Sequence, residues 1–164
     1  MKILIAYIAV TGGKRTHQFL TRFRDSVTDH HPGVDCETMV VCNGGPLPVE
    51  TALWIPTNWK AYCRLNEGAD IGAYIDVARN FQCDMLVCLG ESVYAHSRGW
   101  LKMLANAWEE WGPGMYGVFS SNLVAPHLNT TAFACDPKLL SAWPEIVKTK
   151  EQRYAFEHSP TGSF

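Results

Sequence analysis

Residues 84–89, Asp84-Met85-Leu86-Val87-Cys88-Leu89, constrain the fold more than any other stretch of this chain. Five apolar residues in succession leave no polar face. A strand of that kind is covered on both sides, as in the parallel sheet of an α/β protein. The run stops at Gly90-Glu91-Ser92-Val93-Tyr94, a small residue followed by a carboxylate and a hydroxyl. In open α/β sheets ligands sit beyond the carboxyl ends of the strands, so Glu91 and Ser92 stand where chemistry is usually found. Taken alone, the same residues serve equally well as a strand and a polar turn.

The 164 residues suit one domain, spanning 1–164, with room for a substantial core. Hydrophobic residues at 47% and charged residues at 18% place the chain among ordinary globular proteins. A net charge of -2 gives no electrostatic reason to expect a nucleic-acid partner. No apolar run is long enough to span a membrane. The N-terminal run Ile3-Leu4-Ile5-Ala6-Tyr7-Ile8-Ala9-Val10 reads as a buried first strand rather than a signal peptide, because no small-x-small cleavage site follows it. Six cysteines (36, 42, 63, 83, 88 and 135) contain no Cys-x-x-Cys pair, and several lie in apolar runs. Buried reduced thiols and a cytoplasmic location are the expectation, and zinc binding lacks ligand spacing.

Along the chain, Thr11-Gly12-Gly13 forms a turn, and Phe19, Leu20, Phe23 and Val27 predict a helix starting near Thr16. His30-His31-Pro32-Gly33 ends it; the paired histidines suit a helix C-terminus better than a metal site. A second strand over 36–42 runs into Asn43-Gly44-Gly45-Pro46, completing a β-α-β unit with parallel strands. Asn43 then shares a sheet edge with Thr11, where its amide suits a base edge or simply a turn. Residues 46–61 read as an irregular connection with a short element near 52–55. Asp70 is expected to cap a helix carrying Ile71, Tyr74, Ile75 and Ala78, and Arg64 supplies a cation suited to paired phosphate oxygens. Trp100, Leu104, Trp108 and Trp111 trace one helix face, read as core. Strands are expected over 115–120 and 132–135, a helix from Asp136-Pro137, and a mobile, loop-rich tail containing Glu157 and His158.

The order of strand, Asn-Gly-Gly turn, Arg64-Leu65-Asn66-Glu67-Gly68-Ala69-Asp70-Ile71-Gly72-Ala73-Tyr74, apolar strand and short acidic motif resembles the GT-A glycosyltransferases of the family-2 type. Within them it is most similar to the rhamnan synthesis protein F-like group, on Ser92-Val93-Tyr94 and the later His127-Leu128-Asn129-Thr130. The resemblance covers most of residues 1–145. It implies a Rossmann-like three-layer α/β/α domain with a mostly parallel sheet, and transfer of a sugar from a nucleotide-diphosphate-sugar donor to a glycan or other hydroxyl acceptor, as in polysaccharide biosynthesis.

The resemblance also implies roles. Val10, Thr11 and Asn43 would border the nucleobase and ribose, and Arg64, Asn66 and Asp70 would lie near the nucleotide-sugar. Glu91, supported by Ser92, would contact a divalent cation or the ribose-diphosphate. Mn²⁺ or Mg²⁺ would neutralise the departing diphosphate. His127 and Glu157 are the catalytic candidates for the base an acceptor hydroxyl needs, and His158 joins Glu91 as a metal candidate. Two departures stand out. The usual Asp-x-Asp pair is reduced to Gly90-Glu91-Ser92, and the chain stops soon after Glu157. Both keep a non-catalytic nucleotide- or glycan-binding module as the alternative.

Overall fold

A computed structural model of the chain describes residues 1–122 and 127–158. The main sheet has six strands in the order β3-β2-β1-β4-β8-β5. These are β1 (Ile3–Val10), β2 (Glu37–Asn43), β3 (Lys60–Arg64), β4 (Met85–Leu89), β5 (Met115–Gly117) and β8 (Ala132–Cys135). A separate short ribbon pairs β6 (Ser120–Ser121) with β7 (His127–Leu128). β3, β2, β1 and β4 run parallel, and β8 is antiparallel to both of its neighbours.

The alternation of side chains divides the apolar strands between two faces. On one face Ile5, Tyr7, Val87 and Leu89 pack with Leu20 and Phe23 of α1 (Thr16–Asp29) and with Leu101, Ala105 and Trp108 of α4 (Trp100–Trp111). Tyr7 and Phe23 stack with ring centroids 4.1 Å apart. On the other face Leu4, Ala6, Ile8, Leu86 and Cys88 meet Ile71, Tyr74 and Ile75 of α3 (Ala69–Asn80). Leu140 of α5 (Pro137–Ser141) and Phe156 of α6 (Lys150–Glu157) complete that layer. This is the expected three-layer α/β/α arrangement. All five residues of β4 are buried, as a strand without a polar side must be.

Several local expectations need correction. The connection over residues 46–61 holds α2 (Val49–Ala52) and leads into β3, a strand the apolar pattern did not reveal, because it is an edge strand of half-buried and exposed residues. Asp70 is not the N-cap of α3. Gly68 occupies that position at φ 72°, and Asp70 falls in the first turn. A Cβ at Gly68 would overlap the Val147 carbonyl, and one at Gly72 would overlap the Glu67 carbonyl, so close backbone approach fixes where α3 begins.

The expected strand over 115–120 breaks into β5 and β6. The aromatic stripe of α4 is not uniformly core: Trp108 is buried whereas Trp111 is 75% exposed. Residues 150–157 form a helix rather than a mobile tail. Thr149 closes a capping box with Gln152, and Phe156 is buried against Trp143 with centroids 5.0 Å apart. Burial of one phenyl group contributes about 1.5–3 kcal/mol, offsetting part of the ordering cost of that turn. All six cysteines are free thiols; Cys42, Cys88 and Cys135 are buried as expected, but Cys63 is exposed. Among the described residues no helix is long and apolar enough to cross a membrane.

Candidate functional site

The strand order reverses between β1 and β4, and the crevice above their carboxyl ends is where such sheets bind ligands. A cleft of about 300 Å³ opens there. Six sequence-predicted residues line it: Val10, Asn43, Asn66, Asp70, Glu91 and Ser92. Ala69, Gly90 and Thr131 complete most of its wall.

Glu91 follows β4 and reaches across to β1. Its Oε1 accepts from the Val10 N–H at 3.3 Å and lies 2.8 Å from the Thr16 hydroxyl, whose one proton is shared between Glu91 and the Val10 carbonyl. The backbone beneath it is fixed as well, because the Tyr7 hydroxyl donates to the Glu91 carbonyl and Arg22 Nη2 donates to the Ser92 carbonyl at 2.6 Å. Burial, with the Glu91 charge adding to it, pushes the Tyr7 phenol well up, so Tyr7 remains a neutral donor at every working pH. Arg22 also lies over the Tyr94 ring at 4.1 Å. The carboxylate is thus held in one orientation at the cleft.

The opposite wall is a second network. Asn43 is 1% exposed. Its amide nitrogen donates to Asn66 Oδ1 at 3.0 Å and to the Ala69 carbonyl at 3.1 Å, while its oxygen accepts from Arg64 Nη1 at 2.5 Å. These bonds occupy the amide that sequence reasoning offered to a nucleobase, so Asn43 braces the wall. Arg64 is likewise committed. Its side chain donates to Asp76 at 3.0 Å and to the Glu67 carbonyl at 2.9 Å, and it does not line the cleft. Thr11 sits above the neighbouring strand ends, donating through its hydroxyl to the Gly45 carbonyl at 2.7 Å. Asn66 and Asp70 are the residues of this wall that lie in the cleft and are accessible to a ligand.

A third group comes from the segments read as acceptor-side or tail. Glu157 accepts from the Thr130 hydroxyl at 2.8 Å, and the His127 and His158 rings meet edge to face at 4.9 Å. Thr131, next to that contact, accepts through its carbonyl from the Gly90 N–H at 2.8 Å and lines the cleft. Arg153 of α6 stands 3.8 Å from Asp70 Oδ1, bringing a cation to the cleft rim. Sequence reasoning missed Arg153, Thr131 and the orienting pair Tyr7 and Thr16. Arg153 lies just before the stretch read as tail, where the sequence shows no pattern, and the others are single side chains within longer runs.

The donor set is compatible with Mg²⁺ or Mn²⁺ at Asp70 and Glu91. Mg²⁺ is commonly held by one or two carboxylates while phosphate oxygens and water complete the octahedron. Among the described residues no cluster of three His, Cys, Asp or Glu is preformed for a metal; His127, Glu157 and His158 all stand outside the lining of the cleft, with His158 packed on His127 and Glu157 bonded to Thr130, next to the cleft residue Thr131.

No protein-family model matches the chain, and no curated protein matches it in sequence. Solved structures do match in three dimensions. TarS residues 1–349 of S. aureus superpose with a TM-score of 0.65 at 15% identity, over 93% of this chain and 53% of TarS 1–349. HddC from Yersinia pseudotuberculosis gives 0.65 at 13% identity, over 98% of this chain and 88% of HddC. The mannosyltransferase PcManGT from Pyrobaculum calidifontis, solved with GDP-Man and Mn²⁺, gives 0.58 at 11% identity, over 84% of this chain and 45% of its own. The chain therefore spans about half the length of TarS 1–349. At these identities the likeness establishes the fold, which is that of the GT-A nucleotide-diphospho-sugar transferases.

Proposed function

We propose that the chain is a glycosyltransferase that moves a sugar from a nucleotide-diphosphate-sugar to a hydroxyl acceptor. One observation carries the reading: Asp70 and Glu91 line a single cleft at the strand-order reversal, with Arg153 at its rim. The donor lies across Val10, Thr11, Asn66 and Asp70, its diphosphate toward Glu91 and Arg153. Asp70 and Glu91 would hold a divalent cation there, and it would supply positive charge to the leaving diphosphate. The chain's own residues hold the geometry: Thr16 and Val10 aim the Glu91 carboxylate, Arg64 and Asn43 brace Asn66, and Arg153 adds charge. The acceptor oxygen bonds to the anomeric carbon as the bond from that carbon to the phosphate oxygen breaks. The nucleoside diphosphate leaves, and the acceptor proton passes to Glu157 or His127.

The finer placement in the rhamnan synthesis protein F-like group rests on Ser92-Val93-Tyr94 and on His127-Leu128. Isothermal titration with UDP, GDP, ADP, CDP and TDP, each with and without Mn²⁺, tests the donor site. Binding of at least one, strengthened by Mn²⁺, is the expected result; binding of none rejects it. The bonds from Thr16 and Val10 to Glu91 Oε1 also favour a second reading, a binding module in which Glu91 acts as a brace. Slow hydrolysis of a nucleotide-sugar that disappears in Glu91→Gln would exclude that reading.

A further inference from the structure

The cleft has a neighbour of opposite character. A cavity of about 620 Å³ lies beside it, and both are lined by Ser92 and Thr131. Its walls are mostly apolar, with Val87 and Leu89 from β4, Ala132 and Phe133 from β8, and Trp100 and Leu104 from α4, while Ser97 and His96 join Ser92 and Thr131 as its polar lining. Its rim carries Met103, Val118 and Phe119, which are 68%, 60% and 48% exposed. Buried strand residues make its floor, and exposed apolar side chains lead outward from it.

We propose that this cavity takes the aliphatic chain of an amphipathic acceptor, whose hydroxyl end passes Ser92 and Thr131 into the donor cleft. The proposal rests on the glycosyltransferase reading and names the acceptor class. Three observations favour a chain. The space is within the range of small-molecule sites and has apolar walls, so water gains little there and an alkyl group gains its transfer free energy. Ser92 and Thr131 border both spaces, so a polar head held at that shared edge stands beside the donor cleft. The exposed apolar rim suits an occupant longer than the cavity, continuing outward, better than a compact ring enclosed within it. The transfer step is the one described above: the head-group oxygen bonds to the anomeric carbon, the nucleoside diphosphate departs, and the hydroxyl proton goes to Glu157 or His127.

Titration of the intact chain with n-octyl, phenyl and methyl glucosides tests this, with the octyl compound kept below its micelle concentration and a nucleoside diphosphate titrated separately. The octyl compound is expected to bind at least tenfold more tightly than the methyl one. Met103→Glu and Ser97→Trp, both at exposed positions of the cavity lining, should each weaken octyl binding at least fivefold, with the circular dichroism spectrum retained as a check on folding. Equal affinity for octyl and methyl compounds overturns the proposal while leaving nucleotide binding to stand or fall alone. Phenyl binding tighter than octyl overturns the aliphatic assignment. Octyl binding by a chain that binds no nucleotide overturns the acceptor role.

Discussion

The cleft and the cavity share two residues and are built on opposite principles. Around the cleft polar groups are held by one another: Glu91 by Thr16 and Val10, Asn66 by Asn43, Asn43 by Arg64, and, behind the wall, Arg64 by Asp76. Such a network is already organised before a ligand arrives, which is the condition under which electrostatic groups lower a barrier. In the cavity the walls are apolar side chains whose contacts are non-directional, so its shape can follow its occupant. Fixed geometry therefore belongs to the reacting groups and adaptable volume to the part of the substrate that does not react. Disturbing one region should leave the other largely intact.

Glu91→Gln should give the largest effect. Glutamine still accepts from Thr16 and Val10 through its side-chain oxygen, so the fold should survive, but the negative charge is lost. Turnover of a nucleotide-sugar is expected to fall by about 10²–10³-fold, the size seen when one preorganised electrostatic group is removed. Octyl glucoside affinity should stay within about twofold of the original. Single-turnover assays beside alkyl glucoside titration measure both, and a simultaneous collapse would show that the two regions are one.

Arg64→Ala comes next. The Arg64 side chain is 10% exposed, and its loss leaves the buried Asn43 Oδ1 without its charged donor, while Asp76, 36% exposed, keeps the Tyr62 hydroxyl. Hydrogen bonds to charged groups contribute about 1.5–3 kcal/mol, so urea unfolding should register a loss of about 2 kcal/mol. Arg64→Lys should recover only part, because an ammonium group cannot reproduce the fork that reaches Asn43, Asp76 and Glu67 together. Nucleotide affinity should fall with stability in both variants, since Asn43 positions Asn66. Unchanged affinity in Arg64→Ala would mean that the network does not organise the cleft.

A smaller, opposite effect is expected at Gly90. A Cβ there would meet Thr131 at 3.4 Å and Asp70 Oδ2 at 3.8 Å, both ordinary contacts. Gly90→Asp adds a carboxylate near Asp70 and next to Glu91, giving the turn two adjacent acidic residues. Like charges so close favour a cation, and Mn²⁺ affinity without nucleotide should rise about tenfold, or about 1.4 kcal/mol. Calorimetry with Mn²⁺ alone reads this directly, and an unchanged affinity would place the cation elsewhere.

How far the sequence disclosed these regions follows from their physics. β4 was legible because five apolar residues bounded by polar ones suit a short strand buried on both sides, and the turn after it then locates Glu91 and Ser92. β3 was hidden because its residues are half-buried or exposed and make no pattern. The cap was placed two residues late, at Asp70 instead of Gly68, since a short acidic side chain before an apolar run suggests a cap. The actual start of α3 depends on Val147, remote in sequence, packing against Gly68. The roles of Asn43 and Arg64 as braces needed their partners to be seen in three dimensions. The last helix escaped notice because Phe156 is its one buried residue, and no periodicity can come from a single position. The cavity was unreadable for a different reason: Trp100 and Leu104 obey the same helical spacing whether they fill a core or border a space.

That ambiguity sets up the smallest expected effect. Leu101 and Leu104 lie on one helix, three residues apart, and both belong to its apolar side. Leu101 is fully buried in the core beneath the sheet face, whereas Leu104 is partly buried and borders the cavity. Truncating a leucine in a close-packed core costs about 3–5 kcal/mol, because the lost transfer free energy is joined by the cost of a new void. Leu104 already has space on one side, so its truncation enlarges a void rather than creating one and should cost about 1 kcal/mol. Leu101→Ala supplies the reference in the same urea titration. Equal costs would mean that Leu104 is packed as tightly as Leu101, that the space beside it is closed, and that only the polar cleft remains as a site.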